Sequence, residues 1–163
     1  MAISCNSLDQ LLELKVDNDL TESIDVHVDQ TNGAAFSFDL STTANLNSGE
    51  FAQYKDKISA IKINKLTYKF KEFTGNSAGT IPSGTIKFDD IVLGTFTDFN
   101  ISQAAKTGTI FDVADATTIG QIQTALLNNN EVSIKLSGNV LSDAGVMDFK
   151  IEVFMNMTAT IAN

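Results

Sequence analysis

From Met147 to Ile161 the chain alternates with period two. Met147, Phe149, Ile151, Val153, Met155, Met157, Ala159 and Ile161 fall on one face, while Asp148, Lys150, Glu152, Asn156, Thr158 and Thr160 fall on the other. Successive side chains of a strand point to opposite sides of its sheet, so this segment is a long strand with one dry face and one wet face. A one-sided strand of that length has to lie across a core shared with an opposing sheet. The chain has 163 residues, 43% of them hydrophobic, and a single proline. That is enough to bury one core, and nothing in the composition marks a second domain, so residues 1–163 are read as one unit.

Earlier segments repeat the pattern. Ile24, Val26 and Val28 alternate with Asp25, His27 and Asp29. Thr31-Asn32-Gly33 supplies turn residues, and Phe36, Phe38 and Leu40 resume the alternation, which reads as a β-hairpin. In the long strand that follows, Ile61 and Ile63 are odd whereas Leu66, Tyr68 and Phe70 are even. A one-residue phase change near Asn64 predicts a β-bulge. Residues 74–83 read as a loop, and strand character returns at Ile86 and Phe88, from Ile91 to Leu93, at Phe96, Phe99 and Ile101, and from Val132 to Val140. Helical spacing is confined to short stretches. Ser7–Gln10 has capping-box spacing, so an N-terminal segment over 1–16 should carry a short helix that Asp17-Asn18-Asp19 ends. A second helix is expected to hold Phe51, Tyr54 and Ile58, and a third, capped from Thr118, to carry Ile119, Ile122 and Leu126 until Asn128-Asn129-Asn130 stops it. The expected fold is all-β: an antiparallel β-sandwich of about seven or eight strands with two or three short connecting helices.

Charge narrows the partners. Twenty acidic residues face 11 lysines and no arginine, for a formal charge of −9. Such a surface repels phosphate backbones and has no bidentate guanidinium readers, which excludes nucleic acid and argues against docking on anionic lipid through protein charge. No run of apolar residues reaches membrane-helix length, and the start lacks the basic and apolar regions of a signal peptide. Ala2-Ile3-Ser4-Cys5 is nevertheless what remains upstream of a lipidated cysteine, so two readings stand: a membrane anchor through acylated Cys5, or a cytosolic N-terminus with an incidental thiol.

Material for catalysis is thin. His27 lies between Asp25 and Asp29 on one strand face, a spacing that suits a metal ligand or general base but equally a solvated face, and we take the latter. Asp17-Asn18-Asp19 and Asp89-Asp90 resemble calcium ligands only in composition. Gly75, Gly79 and Gly84 form no phosphate loop, and no nucleophile elbow occurs. No catalytic residue, metal or cofactor is assigned, and a hydrolase or metal-dependent enzyme is the least favoured function.

The charges are also segregated. Between Asp9 and Asp39 eight acids accompany one lysine, whereas Lys55, Lys57, Lys62, Lys65, Lys69 and Lys71 accompany a single acid, Asp56. Lysines such as Lys62, Lys65, Lys69 and Lys71 can guard an exposed strand against edge pairing. They can also meet the acidic segment of a second copy, with Asp25 and Asp29 on its surface, in a head-to-tail homo-oligomer; of the two, we take the guarding role here. The C-terminal strand likewise either closes its own sheet or is donated to a neighbour; we take the former.

The Ser-Cys start, the run Tyr54-Lys-Asp-Lys-Ile-Ser-Ala-Ile-Lys-Ile-Asn-Lys-Leu-Thr-Tyr68, the polar loop after Phe73 and the alternating C-terminal strand together resemble small surface lipoproteins of flavobacterial type. The resemblance implies a β-sandwich displayed in the cell envelope or outside the cell, and supplies no activity. The leading expectation is a non-enzymatic structural or interaction module, envelope-associated, with a protein or glycan partner. The alternative is a self-assembling subunit of an extracellular filament or virion.

Overall fold

The structure, a computed structural model, describes residues 13–30, 36–75, 79–140 and 145–162. Its strands are β1 (Leu14–Gln30), β2 (Phe36–Asn45), β3 (Ile58–Gly75), β4 (Thr80–Phe88), β5 (Ile91–Asn100), β6 (Ile110–Asp112), β7 (Glu131–Val140) and β8 (Gly145–Ile161). They form two four-stranded sheets: sheet A, in the order β1-β8-β3-β6, and sheet B, in the order β2-β7-β4-β5. Every pairing is antiparallel. The first strand lies beside the last, the second beside the seventh, the third beside the sixth and the fourth beside the fifth. One long hairpin, tipped at β4–β5 and wound over itself, gives that order. The fold is a jelly roll.

The expected antiparallel sandwich therefore holds, with eight strands among the described residues. The connecting helices among the described residues are a 3-10 helix (Gly49–Lys57), α1 (Ile101–Thr107) and α2 (Ala116–Asn129). β8 closes its own sheet, as its alternation predicts. It pairs along its whole length with β1, from Leu14 opposite Ile161 to Gln30 opposite Gly145, and pairs with β3 on its other side. Its odd-numbered residues from Met147 to Ile161 are buried. Phe154 is the one large apolar residue on the wet face between Asp148 and Thr160, set by register between Thr21 and Thr67.

The core between the sheets is rich in phenylalanine. The Phe70 ring lies 5.0–6.2 Å from Phe96, Phe99, Phe111 and Phe149, and Tyr68 stacks on Phe111 at 5.1 Å. Such pairs contribute about 0.5–1.5 kcal/mol each beyond their buried area. Two glycines make room for rings arriving from outside their own strands. A Cβ on Gly94 would stand 2.4 Å from the Tyr68 hydroxyl, and one on Gly138 would stand 2.6 Å from Phe38 Cζ.

Several local expectations are corrected. β1 and β2 do not form a hairpin: β1 pairs with β8 and β2 with β7, so these two strands belong to different sheets. Thr31–Gly33, the proposed turn, lies outside the described residues, as do Cys5 and the expected helix at Ser7. Asp17-Asn18-Asp19 ends no helix but lies within β1, which starts at Leu14 and so replaces part of the expected 1–16 segment. Asn18 disguised that strand, because it puts a polar side chain at a core-facing position. There Asn18 Oδ1 accepts the Glu50 N–H at 3.3 Å, at the start of the 3-10 helix.

Phe99 and Ile101 do not share one strand, because β5 ends at Asn100. Its side chain accepts the Gln103 N–H at 2.7 Å and starts α1, which Gly108 ends with φ +63°. α2 is capped by Asp115, not Thr118, with Asp115 Oδ2 accepting the Thr118 N–H at 2.7 Å. The 74–83 loop shrinks, since β3 runs to Gly75 and β4 resumes at Thr80 with Pro82 inside it. Proline has no N–H to donate, and Pro82 sits where β4 makes no ladder pair with β7 or β5. The bulge expected near Asn64 is present as a register shift between Ile63 and Lys65.

Candidate interaction surface

The outward residues of β1, β8 and β3 stand in register, so the wet face of sheet A is a set of cross-strand rungs. At one end Asp17 accepts from Thr158 Oγ1 and Asp19 from Asn156 Nδ2, each at 2.6 Å. Asn64 donates to Asn156 and Thr158 from the other side at 3.1 and 2.8 Å. In the middle, Glu152 is held by Lys69 at 2.9 Å and by Lys71. Next to it Lys150 bridges Glu72 at 2.9 Å and Asp25 at 3.4 Å. The last rung joins His27 Nδ1 to Asp148 at 2.6 Å.

These pairings shift the groups as charge and hydrogen bonding require. Lys71 and Lys69 hold the Glu152 carboxyl below its ordinary value, and Lys150 holds Glu72 down. Glu72 reaches Lys150 because a second bulge, between Lys71 and Thr74, puts it at φ +55° and turns its side chain along the sheet.

The two strands that flank β8 differ in overall sign. β1, one edge of the sheet, carries Asp17, Asp19, Glu22, Asp25 and Asp29 against one lysine. β3, on the far side of β8, carries Lys62, Lys65, Lys69 and Lys71 against one acid, Glu72. The charge blocks that are separate in sequence thus flank the same sheet. Asp25, Lys69 and Lys71 are engaged within the chain, and Asp29 stands opposite Val146. Lys62 and Lys65 are exposed and form no ion pair with any described residue.

The β3 backbone edge beside those lysines is plugged. β6 pairs with Thr67–Lys69, Leu66 O accepts the Val113 N–H at 3.0 Å, and Gln123 Oε1 accepts the Ile63 N–H at 2.8 Å. This edge therefore leaves little backbone open to an added strand, and what it presents outward is side chains. On β1, Glu22 occupies a core-facing position, and burial pushes its carboxyl up. An inward charge of this kind interrupts the dry face of an edge strand.

The other candidates resolve into structural roles. His27 pairs across strands with Asp148 and not with its neighbours Asp25 and Asp29. Asp89 is a turn residue at φ +48° whose Oδ1 accepts the Ser133 N–H at 2.9 Å. Among the described residues no group of three or more His, Cys, Asp and Glu is placed to hold a metal ion, and no helix is long and apolar enough to cross a membrane.

Sheet B carries a different surface that sequence reading missed. Ser37, Asn139, Ser83 and Thr97 stand opposite one another on four adjacent strands and form one outward rung. Two residues further along, Asp39, Ser137, Thr85 and Thr95 form the next. The rung between them, Phe38-Gly138-Gly84-Phe96, points its rings into the core and leaves backbone as the floor. The result is a groove of about 500 Å³ crossing all four strands. Its signal in the sequence is Ser-Phe-Asp, Ser-Gly-Thr, Thr-Phe-Thr and Ser-Gly-Asn, four polar-x-polar triplets whose alignment becomes visible only when the register is known.

No protein-family model matches the chain, and no curated protein is significantly similar to it in sequence. Solved structures with a similar arrangement include a decameric BFDV capsid protein, with a TM-score of 0.43 at 9% identity over 90% of this chain and 99% of that one. Desmodium yellow mottle tymovirus gives 0.33 at 11% identity, covering 100% of this chain and 94% of the other. The VP2 subviral particle of infectious bursal disease virus gives 0.28 at 13% identity, covering 91% of this chain and 38% of the other. The jelly-roll assignment rests on the strand order, not on these scores.

Proposed function

We propose that the chain is a structural subunit that associates with further copies of itself, head to tail, the acidic β1 side of sheet A meeting the basic β3 side of the next. The observation that carries this reading is the opposite overall sign of the two flanks of one sheet, with exposed Lys62 and Lys65 on the basic one making no ion pair to any described residue. A contact between two different flanks is heterologous and repeats, so it builds a ring or an open filament. Exposed charge pairs contribute only about 0.2–1 kcal/mol each. Several must act together, and screening should dissolve the assembly. In line with the lipoprotein resemblance, the assembly would stand in the cell envelope and be tethered through an acylated Cys5. The intact mass of protein from its native source, with or without an acyl increment on Cys5, decides that part.

Light scattering in 20 mM and 500 mM salt tests the assembly. Large species at low salt should fall to monomer at high salt, and the double variant K62E/K65E should be monomeric in both. Monomers throughout, or assembly indifferent to K62E/K65E, would overturn the reading.

A further inference from the structure

We infer that the groove across sheet B is a binding site for a neutral glycan, independently of whether the subunits assemble through sheet A. Its walls present seven neutral hydrogen-bonding side chains and one carboxylate, Asp39, with no apolar side chain projecting from either rung. Hydroxyls and amides of this kind both donate and accept, which suits a ligand whose surface is itself hydroxyl. An amphipathic helix would find no apolar anchor points here. A polyanion would meet Asp39 and a chain of net charge −9.

One wall is also set in advance. Ser37 Oγ donates to Asn139 Oδ1 at 2.7 Å, and Asn139 Nδ2 donates to Ser83 Oγ at 2.9 Å, tying β2, β7 and β4 together and fixing the Asn139 amide. Groups already ordered lose less freedom when a ligand arrives. Shape agrees with chemistry. Three interstrand steps make the groove about 14 Å long, and two residues of strand separate its walls by about 7 Å. That is a channel for an extended chain, open at both ends, with a floor of bare backbone because Gly84 and Gly138 face Phe96 and Phe38 across the sheet. Lys87 and Lys135 stand opposite each other on a later outward rung and leave the channel itself free of positive charge.

The test is titration of the full chain with cellohexaose, maltohexaose and mannohexaose, followed by backbone amide shifts. At least one should bind with a Kd of millimolar or tighter and move amides at 37–39, 83–85, 95–97 and 137–139. Thr95→Lys, which lays a long side chain over the floor from an exposed position, should weaken that binding at least tenfold with the thermal midpoint unchanged. Asn139→Ala, which releases Ser37 and Ser83, should weaken it several-fold. K62E/K65E should bind as the parent does, which separates this site from assembly. Silence with all three sugars, shifts confined to other surfaces, or a response only to a sulfated hexasaccharide or a neutral Gly-Ser hexapeptide would overturn the assignment.

Discussion

Gly94 shows how one absent side chain can fix the spacing of two sheets. Tyr68 crosses the core from sheet A, and its hydroxyl occupies the volume where a Cβ on Gly94 would stand, at 2.4 Å. Gly94→Ala should therefore cost about 1–3 kcal/mol in urea unfolding, and adding Tyr68→Phe should recover part of the loss by removing the clashing atom. Glu22 works in the opposite direction. Burial holds its carboxyl above the ordinary value, so the ionised form carries a cost in the folded state. The sign follows: that cost is absent while the group is protonated in both states, and develops as pH rises from the ordinary carboxylate value through the raised one. Glu22→Gln should raise stability at neutral pH by a few tenths of a kcal/mol, roughly 1 °C in midpoint, with the gain vanishing in acid. Neither residue was legible in the sequence, where Gly94 is one of ten glycines and Glu22 one of many acids. Their meaning depends on a neighbour brought from a distant strand.

At the scale of elements the legible part was periodicity and the illegible part was partnership. The phase change around Asn64 identified a bulge because a bulge shifts parity within one strand, a purely local event. The β1–β2 hairpin failed because alternation says which face is dry, not which strand lies alongside. Helix α1 was missed although Asn100 and Gln103 have capping spacing, because Phe99 and Ile101 sit where a strand would also place them. Two positions on sheet A give testable consequences. Gln123→Leu removes the acceptor for the Ile63 N–H and should speed hydrogen exchange of that amide and cost about 1–3 kcal/mol. Glu152 is held down by Lys71 and Lys69, so its contribution is present above the ordinary carboxylate value and lost as pH falls through the lowered one. Glu152→Gln should cost about 1 kcal/mol at neutral pH and little in acid, as read from midpoints across a pH series.

Over the whole molecule, the chain's last described strand is the centre of sheet A, and β8 cannot complete its pairing until β1, more than a hundred residues earlier, is in place. Non-local pairing of this kind is slow because loop closure precedes the reward. Refolding should take milliseconds to seconds by stopped-flow, with no sub-millisecond phase accounting for the full signal. The sandwich class could be read in advance, since a long one-sided strand demands an opposing sheet, and so could the charge blocks. Their placement on the two flanks of one sheet could not, because strand order is not written in alternation. The β1–β8 register also has a mechanical side. Leu14 stands opposite Ile161, so a pull applied at both reaches the hydrogen bonds of that pair one after another, like a zipper, rather than loading the seventeen rungs at once. Tension entering through the two ends would peel the molecule open at low force, and a fibre built from it would resist stretching only where load passes through its flanks.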